Sequence, residues 1–179
     1  MDNTASTPAA AGTAMNNTST LLVRAYRDSD WARLCTIHDA ARLDELRQSA
    51  GTAAFLPLAQ AAASEGLFDA QVCVAERDGQ VAGFVAFKDD ELTWLYVDPA
   101  LYRRGVGRAL LRHAVASARA PLTLEVLEGN DAALHFYLAE GFRLERRVEG
   151  HLAGNEAFAA VGLVLCHRPG ETAADFTAA

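Results

Sequence analysis

The chain has 179 residues, of which 51% are hydrophobic and 22% charged, and its formal net charge is -7 at pH 7. That length supports one sizeable core, and the acidic balance argues against a general nucleic-acid binder, whose footprint would be basic. No apolar run approaches the roughly 18 residues of a membrane span, and three widely spaced cysteines, Cys35, Cys73 and Cys166, suit reduced thiols in a cytoplasmic protein better than a disulfide framework or a metal site.

Residues 1–19 are mostly Ala, Thr, Ser, Asn and Pro and lack the apolar side chains that would repay ordering, so they are expected to be a disordered tail. Residues 169–179 read as a second, flexible tail, which leaves 20–168 as the domain. Within it, Leu21 to Tyr26 is a short strand. Asp28 or Ser29 can cap a helix whose apolar positions Trp31, Leu34, Ile37 and Ala41 follow helical spacing. A second helix is expected over about 53–63, with Pro57 tolerated only near its first turn.

Gln71 to Glu76 and Val81 to Phe87 read as strands joined by the hairpin signal Arg77-Asp78-Gly79-Gln80. Leu92 to Val97 is the next strand. Beyond a glycine loop, Leu110, Leu111, Ala114, Val115 and Ala118 form one apolar helical face, with Arg108, Arg112 and Arg119 turned away. Leu122, Leu124 and Val126 mark another strand. Asn130 caps a short helix that ends at Gly141, and strands over 142–148 and 157–166 finish the chain around a Gly-bearing loop. The order β-α-α-β-β-β-α-β-α-β-β implies an α/β (α+β) fold, with a mixed, mostly antiparallel sheet of six to seven strands flanked by helices on both faces.

The most informative stretch runs from Val97 to Leu111: strand, Asp98-Pro99 turn, basic glycine loop, helix. Such a helix entry presents unpaired N–H groups at the positive end of the dipole, which suits a phosphate or pyrophosphate. Gly105 and Gly107 let an anion approach the main chain, while Arg103, Arg104 and Arg108 add charge.

With Leu95-Tyr96-Val97-Asp98-Pro99 ahead of it, the segment Tyr102-Arg103-Arg104-Gly105-Val106-Gly107 resembles the acetyl-CoA loop of the Gcn5-related N-acetyltransferase (GNAT) superfamily. Tyr102 stands where that family prefers Gln or Arg. A second segment, Asn130-Asp131-Ala132-Ala133-Leu134-His135-Phe136-Tyr137 through Gly141-Phe142, is similar to the family's N-x-x-A-x-x-F-Y-x-x-x-G-F stretch. Together the two segments imply a GNAT fold over about 21–167 and acetyl-CoA as co-substrate.

The resemblance further implies a cofactor contact set of Leu95, Tyr96, Val97, Arg103 to Arg108, Asn130, Ala133, Phe136 and Tyr137. Leu95 and Val97 would offer main-chain groups from a strand that splays from its neighbour. Tyr137 is the candidate general acid, because a phenol with a reference pKa near 10 stays protonated at neutral pH. Glu91 and Glu125 are the candidate bases, with Glu91 preferred and His151 an outside choice. The acceptor cleft is expected from residues 43–69 and 149–156; Trp94, Phe55 and Phe68 are candidates to line it, with core packing the better reading of all three.

The implied acceptor is a small-molecule or peptide amine; no metal, nucleic acid or membrane is implied, and a homodimer through the C-terminal strands stays open. A non-catalytic acyl-CoA-binding sensor is the rival reading. A nucleotide-binding βαβ unit is disfavoured, because no acidic ribose ligand follows in the expected setting.

Overall fold

Seven strands and four α-helices follow one another in the expected order in the computed structural model, which describes residues 20–168; the expected tails at 1–19 and 169–179 lie outside the described residues. The strands are β1 (Leu21–Ala25), β2 (Gln71–Arg77), β3 (Gln80–Phe87), β4 (Leu92–Val97), β5 (Leu122–Leu127), β6 (Arg143–Leu152) and β7 (Asn155–His167). The helices are α1 (Trp31–Gln48), α2 (Leu58–Ser64), α3 (Val106–Ser117) and α4 (Asp131–Ala139).

The expected single sheet is built as two antiparallel sheets, β1-β2-β3-β4 and β5-β7-β6. They meet through one parallel bridge, Glu91 to Thr123, reinforced by the Thr123 N–H donating to the Asp90 carbonyl at 2.8 Å. Beyond that bridge β4 and β5 carry no ladder among the described residues.

Alternation along β2, β3 and β4 sends side chains to two cores. Val74, Phe84, Ala86 and Trp94 pack against Leu34, Ile37 and Leu58 of α1 and α2. Ala75, Val85, Leu92 and Val97 pack against Val106, Leu110 and Leu111 of α3. Gly83 lets α3 settle onto β3, since a Cβ there would stand 2.7 Å from the Tyr96 carbonyl and 3.1 Å from Leu110.

Three boundaries differ from the expectation. The second helix starts at Leu58 rather than near 53, because Pro57 is its N-cap and holds the preceding residue out of helical geometry. The cap comes from another helix: Asp39 of α1 accepts the Leu58 N–H at 2.8 Å. The last two strands are longer than the apolar pattern indicated, turning at Ala153-Gly154, and most of the expected 149–156 loop is strand. β6 is a sheet edge, exposed from Glu145 to His151, so hydrogen bonding to β7 rather than burial sustains it. Finally, neither Asp28 nor Ser29 caps α1; both lie in a short 3₁₀ turn leading into it.

Asp30 fastens that entry. It is 6% exposed, accepts two bonds from Arg24 at 2.8 and 3.0 Å, and takes the Arg27 N–H at 2.9 Å. The Arg24 hydrogen bonds hold its carboxyl below the usual range despite burial. A depressed folded-state pKa gives stability that is present above the unfolded pKa and lost as pH falls through the folded one. Asp30→Asn should therefore cost about 2 kcal/mol in urea melts near neutral pH. The deficit should shrink once the pH drops below about 4.

Candidate active site

The turn Asp98-Pro99 launches the chain from β4 toward α3, with Asp98 accepting the Ala100 N–H at 2.9 Å and pairing with Arg33 of α1. Arg103 (φ 60) and Gly105 (φ 85) then take left-handed conformations that turn the backbone into the helix. α3 opens at Val106, so its first N–H groups have no carbonyl four residues back within the helix. Arg103 and Arg104 are exposed and make no side-chain bond to a described residue.

Arg108 is committed elsewhere, which differs from its expected place around the anion. It binds Glu140 at 2.6 Å while Arg112 binds the other oxygen at 2.9 Å, tying α3 to the end of α4. Tyr102 is 44% exposed, and its phenol is pushed up to about 12 by burial and by Asp44, Glu45 and Asp98.

Gly107 faces a groove between β4 and α4. A Cβ at this position would stand 3.5 Å from Val97, 3.7 Å from Phe136 and 3.9 Å from Leu95, so a side chain would occupy the space that the glycine leaves. The Asp98 N–H donates to the Ala82 carbonyl at 2.9 Å, which fixes the phase of the β3–β4 ladder. By the alternation of an antiparallel pair, the main chains of Trp94 and Tyr96 bond to β3, whereas those of Leu95 and Val97 turn toward the β5 side. There the strands have parted.

α4 is held by Asn130, whose Oδ1 accepts the Ala133 N–H at 3.2 Å. Ala133 and Phe136 are half-buried beside the α3 core, and Tyr137 is buried. The Tyr137 ring packs on Phe136 and Phe142, with its hydroxyl bonded to no described residue. Burial, and then the charge of Glu45, push that phenol well above its ordinary value. Since Glu45 belongs to α1, the hydroxyl feels a charge from the other side of the β4–β5 opening.

On that side lies a cavity of about 320 Å³, lined among others by Trp94, Tyr96, Glu45, Glu65, Glu125 and His151. Glu45 binds Arg42 at 2.6 Å and accepts the Tyr96 hydroxyl at 3.3 Å. His38, 2% exposed, stacks against Trp94 and Tyr96, and burial lowers its pKa. The side chains of Glu65 and Glu125 make no hydrogen bond or ion pair to a described residue. Both candidate bases are exposed but stand apart: Glu125 lines the cavity, whereas Glu91 sits at the closed end of the splay.

Trp94 both packs in the α1 core and lines the cavity. Phe55 instead packs near Leu46 and Leu152, and Phe68 stacks at the surface on Tyr26 and Trp31. Arg42, Glu45 and Glu65 escaped the residue-by-residue reading. Glu45 and Glu65 fall within the 43–69 segment expected to build the cleft, and Arg42 and Glu45 form an i,i+3 charge pair on a helix.

Residues 68–144 match the family model described as an acetyltransferase (GNAT) domain. The chain is 39% identical over 79 residues to the peptidyl-lysine N-acetyltransferase YiaC of Escherichia coli K12, a stretch that is 44% of this chain and 53% of YiaC. It thus spans about half the length of that relative. It is 30% identical over 140 residues to the uncharacterized N-acetyltransferase YafP of the same organism, covering 75% of this chain and 89% of YafP. Among solved structures, apo YjaB from Escherichia coli aligns with a TM-score of 0.62 at 27% identity, over 83% of this chain and 97% of that one.

Glu65 offers a direct check on the cavity. Desolvation raises its carboxyl pKa, with Arg42 opposing and Glu156 and Glu45 assisting. A raised folded-state pKa makes the ionised form a burden on folding, so stability falls as pH rises through that value. Glu65→Gln should therefore melt higher than the parent protein at pH 7, and the difference should vanish near pH 4.

Proposed function

The chain belongs to the GNAT acetyltransferase family, and on that premise we propose that it transfers the acetyl group of acetyl-CoA to a primary amine, a lysine side chain of a peptide being the preferred acceptor. The carrying observation is the unpaired stretch of β4 and β5, which has a helix N-terminus on one side and an acidic cavity on the other.

The residues present suit a CoA thioester. The N-terminus of α3 with Arg103 and Arg104 suits its pyrophosphate. The space left by Gly107 beside Leu95, Val97 and Phe136 suits its pantetheine arm. In this reading Arg108 braces α4 rather than binding phosphate, and Tyr96 acts through its cavity-facing hydroxyl. The N–H groups of Leu95 and Val97 supply donors for a carbonyl oxygen in the opening.

The acceptor side is acidic: Glu45, Glu65 and Glu125 face one another with Arg42 as the near cation. Such a lining favours an ammonium over a neutral or anionic group, and the name of the relative YiaC supports a peptidyl lysine.

Acetyl-CoA supplies an activated acyl carbon, whose C–S bond breaks as the N–C bond forms. Before attack the ammonium must lose a proton, and Glu125, whose side chain bonds to no described residue and lines the cavity, takes it. Tyr137 donates its hydroxyl proton to the departing sulfur. Its raised pKa keeps that proton in place throughout the neutral range.

Three measurements test this reading with a lysine-containing peptide and a thiol-release assay. Glu125→Gln should lower kcat/KM about 100-fold near neutral pH. Tyr137→Phe should lower kcat with little effect on the KM for acetyl-CoA. Gly107→Val, still folded, should raise that KM about tenfold or more; an unchanged KM would place the pantetheine arm elsewhere. Tight coenzyme binding without turnover on any amine would favour the acyl-CoA sensor instead.

A further inference from the structure

Gly162 sits in the middle of β7, the central strand of its sheet, opposite Leu127 on one side and Val148 on the other. Glycine interrupts a run of larger residues there, Val161 before it and Leu163, Val164 and Leu165 after it. Its backbone does not require glycine: it is not among the positive-φ positions, and its partners on both strands are in regular register. A glycine inside a strand then marks a close approach.

The approach is by Glu125. A Cβ on Gly162 would overlap the Glu125 carboxylate and stand 2.8 Å from its Cγ. Glu125 is directly opposite Val164, so its side chain leans diagonally along β7 and lies flat across the bare main chain of residue 162. A strand side chain ordinarily stands upright from the sheet. Upright, this one would project into the cavity that Glu125, Val148 and Gly162 line together.

We propose that Gly162 is a positioning residue: it forms the trough that lays the Glu125 carboxylate along the cavity floor and keeps the space above it open for the acceptor amine. The inference rests on Glu125 acting as the base in the proposed reaction. The three atoms nearest that position all belong to the Glu125 side chain, so a Cβ there would meet this carboxylate first.

The test uses the full chain carrying Gly162→Ala, Glu125→Ala or both. Gly162→Ala should lower kcat/KM for a lysine peptide about tenfold at pH 7. The deficit should shrink to under twofold near pH 11, where the amine is largely neutral and needs no base. In the Glu125→Ala background the same change should be kinetically silent. A deficit equal at both pH values, equal in both backgrounds, or absent would overturn the proposal. If Glu125→Ala itself runs at the parental rate, the base assignment fails, and the role of Gly162 falls with it.

Thermal melts read the contact without activity. Gly162→Ala should lower the Tm of the parent protein, or prevent its folding, and should do neither once Glu125 is truncated. An equal shift in both backgrounds would show an ordinary strand glycine and overturn the proposal.

Discussion

Pairing between β4 and β5 stops at the Glu91–Thr123 bridge, and the rest of the site follows from that interruption. A β4 strand paired on both edges would have every main-chain group consumed by ladders. Here Leu95 and Val97 keep theirs turned toward the opening, although Val97 is buried against the α3 core. Buried main-chain donors and acceptors are costly to leave alone. The fold thus holds a polar slot in an apolar wall, which a ligand with alternating donors and acceptors can satisfy. It also makes a passage: α3 and α4 flank one mouth, and α1, α2 and the β6–β7 hairpin enclose the other.

Small residues shape both mouths. Gly83 lets α3 approach β3 closely, Gly107 leaves a groove beside Phe136, and Gly162 makes room for Glu125. Gly129 (φ 97) is so close to the Gln48 carbonyl that a Cβ would overlap it, which brings the end of α1 against the loop after β5. The acidic lining works against stability in the same region, since Glu65 is desolvated near other carboxylates. In the proposed reading, a site that attracts an ammonium cannot also neutralise its own charges. Arg42 is spent on Glu45 and leaves Glu65 and Glu125 without bonds to described residues.

Much of this was legible in the sequence because local rules governed it. The hairpin at Asp78-Gly79, the Asn130 cap and the β4 boundaries each depend on a few adjacent residues, and each sits where the pattern put it. The legibility ended where distant segments decide. Pro57 sets the start of the second helix, but the cap on its first N–H comes from Asp39, some twenty residues earlier. β6 carries almost no buried residue, so no apolar alternation announced its length. Between the two candidate bases, sequence preferred Glu91; the cavity that includes Glu125 exists only once α1 and β7 are folded against β5. The ion pair of Arg108 with Glu140 was not legible, because Glu140 lies beyond an intervening strand and helix.

The cysteines bear on how the two mouths must cooperate. Cys73 and Cys166 are buried, and burial pushes all three thiols above their ordinary pKa. None of them lines the cavity. A thiol that stays protonated and out of reach cannot carry an acyl group between substrates. In the proposed reading the amine therefore meets the thioester directly, with both substrates held at once from opposite sides. An opening through the sheet meets that requirement where a one-sided pocket would not. On that reading it would let Tyr137 act on the sulfur from α4 while Glu125 acts on the nitrogen from β5.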